Sequence, residues 1–168
     1  MNIASILHGT PGWVFGLFAV LVVLGLQALR TRSFAPWRLL VVPAVFIGWG
    51  LATLAVRSAA SPALAAAWAG GALTGIAVGW LATRPDAVRF DADSARVTVP
   101  GSAATLLRNM SIFGAKYGLA VAMARAPEHA FALLAWDGGV SGLAAGYFFG
   151  WLLRVGAQYR AARLQPAT

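Results

Sequence analysis

Five long apolar runs, separated by short stretches of arginine, proline and serine, set the pattern of the chain. The first spans about Trp13 to Leu29, and at roughly 1.5 Å rise per residue its seventeen residues just cross the hydrocarbon of a bilayer. Trp13 stands at its end, as an interfacial aromatic would. Met1 to Pro11 contains no Lys or Arg and no A-x-A pattern follows, so this helix is expected to be retained rather than cleaved as a signal. A turn with Pro36 and Trp37 leads to a second helix over 39–56, which carries Pro43 in its first turns. Arg57, Ser58, Ser61 and Pro62 mark the next turn, and a third helix covers 63–81. The fourth is expected over 104–124. The fifth covers 128–154, with Pro127 in its first turn and a disordered tail at the end of the chain.

The pattern changes only once, over 84–102, RPDAVRFDADSARVTVPGS. Val88 and Phe90, then Val97 and Val99, alternate with polar residues across an Asp/Ser turn, as in a small hairpin. A two-stranded hairpin alone is marginal in water, so a plain linker is the expectation and a surface hairpin the alternative.

Arginine counts give an orientation. Arg30, Arg32 and Arg38, then Arg84, Arg89 and Arg96, then Arg154, Arg160 and Arg163 place nine on one side, against Arg57 and Arg125 on the other. The rich side is expected in the cytoplasm, so the N-terminus faces out and the C-terminus in, which five crossings satisfy. The predicted fold class is therefore all-α: one membrane domain over 1–168, an integral bundle of five transmembrane helices with a cytoplasmic polar loop at 84–102.

Composition agrees. Of 168 residues, 60% are hydrophobic and 11% charged, whereas a soluble domain carries about a quarter of its residues as charges. The net charge of +8 is dispersed among turns and forms no basic, aromatic-interleaved patch, so nucleic acid is not an expected partner. With no cysteine there is no disulfide or thiolate metal site. A single lysine against twelve arginines, with abundant alanine, fits a GC-rich bacterial source.

Two glycine-rich stretches echo each other: WAGGALTGIAVGW over 68–80 and WDGGVSGLAAGY over 136–147. Convergent drift in two closely packed helices is the simpler reading, and parallel duplication of a two-helix unit the alternative. Gly71, Gly75 and Gly79, and likewise Gly138, Gly142, Gly146 and Gly150, form small-xxx-small stripes that let backbones approach. Helix packing within the chain is expected. A dimer face or a substrate groove are the other uses.

The costly residues lie in the fourth run, LLRNMSIFGAKYGLAVAMAR. Thr105, Arg108, Asn109 and Lys116 share an arc of about 100° at 100° per residue, giving the helix one polar stripe. Lys116 lies eleven residues before Pro127 and Asp137 ten after it, so a tight helical hairpin brings them to equal height. A buried Lys116–Asp137 ion pair is expected, with Tyr117 and Ser141 adding hydrogen bonds. Arg108, a turn inside the basic end, is expected to snorkel to headgroups. The cluster reads as a register-setting bridge, or as a site for an anionic ligand, a proton or a lipid headgroup. His8, His129 and Glu128 fall on the outer face as loop residues, and neither a metal site nor any other cofactor is expected. No phosphate loop, catalytic triad or H-E-x-x-H is present, so enzymatic activity has no support in the sequence.

Three stretches, HGTPGWVFGLFAVLVVLGLQALRTR at the start, PAVFIGWGL in the second helix, and VPGS followed by LLRNMSIFGAKYGLAV, resemble a family of uncharacterised bacterial integral membrane proteins of about this length. The resemblance implies multipass topology and no assigned activity, and adds no catalytic residue. The expected role is a structural or interaction component of the inner membrane, with membrane lipid and a possible homo-oligomer or membrane-complex partner. The alternative is a small oligomeric transporter or ligand-binding membrane protein using the polar site between helices four and five. An enzyme subunit handling lipid or quinone stands behind both.

Overall fold

The computed structural model describes residues 9–84, 88–91 and 96–164. His8, parts of the polar segment at 85–87 and 92–95, and the expected tail beyond 164 lie outside them. The chain is mostly helical. Its elements are α1 (Gly12–Gln27), β1 (Arg32–Phe34), α2 (Arg38–Ala60), α3 (Pro62–Ala82), β2 (Arg89–Asp91), β3 (Arg96–Val99), α4 (Ala103–Arg125), a 3-10 turn (Pro127–His129) and α5 (Ala130–Leu164).

Helix boundaries follow local chemistry. The Ser61 hydroxyl accepts from the Ala63 amide (3.2 Å), with Pro62 at the first helical position, so α3 restarts one residue after α2 ends. Ser102 caps α4 in the same way through the Ala104 amide (3.2 Å). Pro43 is accommodated inside α2 and fully buried.

Helix α5 is the centre of the molecule. It packs most extensively on α3, then on α2 and α4, whereas α1 packs on α4. The α3–α5 contact is a backbone-to-backbone seam. A methyl group at Gly71, Gly75 or Gly79 would strike the carbonyls of Gly139, Leu143 or Tyr147. One at Gly142, Gly146 or Gly150 would strike those of Trp68, Ala72 or Ile76. Partners rise in number together on both helices, so α3 and α5 run parallel, and the two glycine stripes of the sequence echo pack against each other inside one chain. Gly138 stands apart from this seam, because a methyl there would lie 3.6 Å from the Leu64 carbonyl, in ordinary contact.

Side-chain contacts order the remaining helices. Phe46 stacks on Phe148 (4.6 Å) and Gly50 faces Ala145, so α2 runs antiparallel to α5. Thr10 meets Tyr117, Phe18 meets Phe113 (5.5 Å) and Gly25 faces Leu106, so α1 runs antiparallel to α4.

The polar segment is more ordered than a linker. Strand β3 is the middle of an antiparallel three-stranded sheet in the order β1-β3-β2. Phe34 and Phe90 both oppose Val97, while Ser33 and Arg89 both oppose Thr98. One face is therefore apolar and the other polar. Val97, with no exposed surface, joins Val88 and Val155 in a small core, flanked by Leu39, Phe90, Val99 and Trp151. The linker expectation fails because it counts two strands. The third comes from the α1–α2 connection, and α5 runs on past residue 154 to give the sheet's apolar face a surface to bury.

Three segments, Arg38–Val56, Pro62–Ala82 and Pro127–Ala161, are long and apolar enough to cross a membrane. Helix α1 is apolar but shorter, with 16 residues. Large apolar side chains cover the outside, among them Val56, Trp49, Leu73 and Leu81, each at least 69% exposed.

Candidate functional site

The polar side chains of α4 meet α5 along one seam. Lys116 donates to the Asp137 carboxylate and also to the Ser141 hydroxyl (3.0 Å), which itself donates to the Asp137 carbonyl one turn earlier (2.9 Å). Asp137 and Ser141 are buried, while the Lys116 side chain keeps 34% of its surface. The ammonium thus has two oxygen partners in the protein and an open flank. Such a cluster can fix helix register, or it can exchange a proton or an anion through that flank.

Its height follows from its neighbours. Gly138 lies beside the Leu64 carbonyl and Gly139 beside that of Ala67, which puts Asp137 level with the second turn of α3. Tyr117, next to Lys116, is bonded to Thr10 (2.6 Å) at the start of α1. The ion pair therefore sits near the ends of α1 and α3, although Lys116 falls close to the middle of its own apolar run. Tyr117 belongs to the α1 contact and not to the ion pair, because 100° of helical rotation turns it away from Lys116.

Arg108 lies further along the same helix, toward the arginine-rich end. Its guanidinium sits over the rings of Phe148 (4.7 Å) and Tyr147 (5.0 Å). Its Nε and the Oδ1 of the adjacent Asn109 are both buried without a hydrogen-bond partner. At the hairpin tip, His129 Nδ1 lies 3.3 Å from the Glu128 carboxylate, and both side chains are exposed. No group of three or more potential metal ligands forms among the described residues. The structure thus joins Lys116, Asp137 and Ser141, places Arg108 and Asn109 lower on the same seam, and assigns Tyr117 elsewhere. Thr10 and the Tyr147–Phe148 pair are the participants that sequence spacing missed.

A family model covers residues 1–165 of the chain. The chain belongs to the DUF6622 family, a family of unknown function. No curated protein and no solved structure matches it. Membership of DUF6622 assigns no activity to the α4–α5 seam, and the chemistry of that seam is read from this chain alone.

Proposed function

We propose that this chain is a multipass protein of a bacterial inner membrane, with α1 to α5 all crossing, acting as a structural or interaction component. The observation that carries the reading is the group of three spanning-length apolar segments whose outer faces present large hydrophobic side chains. An exposed apolar surface of that extent is unfavourable in water and favourable against lipid tails. Helices α1 and α4 complete the bundle: α1 is apolar throughout, and α4 turns its polar stripe onto α5. The arginine-rich end, which carries the sheet, faces the cytoplasm.

In this reading the glycine stripes build the core of a single chain. Partner recognition then falls to the outer helix faces and the polar face of the sheet. A second reading, a ligand-binding or transport protein using the α4–α5 seam, is favoured by Arg108 and Asn109, which have buried polar atoms with no partner. Fractionation tests the first reading. The full chain expressed in bacteria is expected to pellet with inner membranes and to resist alkaline carbonate extraction. Recovery in the carbonate supernatant overturns it.

A further inference from the structure

We propose that Arg108 binds the phosphate of an anionic phospholipid from the leaflet on the arginine-rich side of the bundle. The inference rests on the membrane reading above and deepens its ligand alternative.

The first ground is charge accounting. The chain has five acidic residues. Asp137 is held by Lys116, and Glu128 sits with His129 at the far hairpin tip. The described parts of the polar segment are anchored further along α5: the Arg84 carbonyl accepts from Gln158 (2.9 Å), and Phe90 packs on Tyr159 (4.8 Å). Ten residues of helix separate Phe148 from Gln158, about 15 Å at 1.5 Å per residue. No carboxylate of the described side chains meets Arg108, whose contacts are the two aromatic faces.

The second ground is position. Arg108 is six residues past the Ser102 cap, about 9 Å into α4, and in the membrane reading above this lies toward the headgroups on the arginine-rich side. Arg108 keeps intermediate exposure at the edge of the α4–α5 seam, and Leu107 beside it is 70% exposed. Half-buried Thr105 lies one turn nearer the end, a hydroxyl within the same arc.

The third ground is chemistry. The Nε of Arg108 is buried without a partner, and the terminal nitrogens of its planar guanidinium match two oxygens of a phosphate. Ring stacking alone leaves its full charge uncompensated in a low-dielectric setting, and a phosphate neutralises it. A diester phosphate anchored by its own acyl chains is already concentrated at that depth, whereas inorganic phosphate must leave water to reach it.

The test uses the purified full chain in mild detergent. Native mass spectrometry counts retained lipid after addition of phosphatidylglycerol or phosphatidylcholine, and thermal unfolding is followed with each lipid and with inorganic phosphate. Wild type is expected to retain phosphatidylglycerol selectively and to be stabilised by it. Arg108→Gln should weaken that retention about tenfold, the worth of a charge-assisted contact. Arg108→Lys, which keeps the charge and loses the fork, should fall between them, and it decides the matter if Arg108→Gln does not fold. Arg125→Gln, at the opposite end of α4, should behave as wild type. Stabilisation by inorganic phosphate and not by phosphatidylglycerol would overturn the lipid source. Equal retention by wild type and both Arg108 variants would overturn the site altogether. Membrane extraction separates the two proposals, since a membrane-embedded chain indifferent to Arg108 sinks only this one.

Discussion

At the scale of single residues, the ion pair is the feature whose cost can be measured. Removing one partner of a buried pair strands the other, whereas replacing both with apolar groups of similar size removes the desolvation cost as well. Asp137→Leu is expected to lower unfolding stability by about 1–3 kcal/mol, a value reduced from the fully buried case because Lys116 is partly open. The double change Lys116→Met with Asp137→Leu should recover most of that loss. A denaturant midpoint series over the four forms of the cycle checks it, and strict additivity would show that the two side chains are not coupled. This pair is legible in the sequence because Pro127 fixes the hairpin, and the residue counts on its two sides then fix the height. Arg108 and Tyr117 are not legible in the same way. Their partners, Tyr147 with Phe148 and Thr10, depend on how far α5 is rotated and where α1 docks, and no short connection dictates either.

At the scale of elements, the α3–α5 seam makes a sharp distinction between neighbouring glycines. Nothing lies within 4 Å of a methyl group built at Gly70, whereas one at Gly71 meets the Gly139 backbone. Gly70→Ala is therefore expected to be neutral, or to stabilise by up to about 1 kcal/mol through helix propensity. Gly71→Ala should cost about 1–3 kcal/mol, because a backbone cannot move aside as a side-chain end can. Comparing the unfolding midpoints of the two variants tests the seam, and equal effects would contradict it. The stripes themselves are visible in the sequence as glycines four apart. That they meet each other in parallel is not, since periodicity identifies a face and not what covers it. The sheet shows the same limit more strongly. The alternation around Val97 is legible as a strand pattern, but its stability depends on Arg32–Phe34, which reads as part of a turn, and on the length of α5.

At the scale of the whole molecule, helix count and the grouping of arginines at one end were the most accessible features, because both are long-range averages that single-residue chemistry hardly disturbs. The absence of native cysteine makes orientation directly testable, since any introduced thiol reports alone. Glu128→Cys at the exposed hairpin tip is expected to react with a membrane-impermeant maleimide in intact spheroplasts. Ser33→Cys in β1 should react only after permeabilisation. The reverse pattern would invert the topology, and labelling of both in sealed cells would remove the bundle from the membrane.

One further consequence follows from α5, an unbroken helix of 35 residues. Asp137 near one end and Tyr159 against the sheet near the other are joined by a single hydrogen-bonded rod, about 33 Å apart along the axis. A rod of this kind does not compress. The ion pair and the sheet are therefore mounted on one frame, and the distance between them is set by helix geometry and not by a connecting loop.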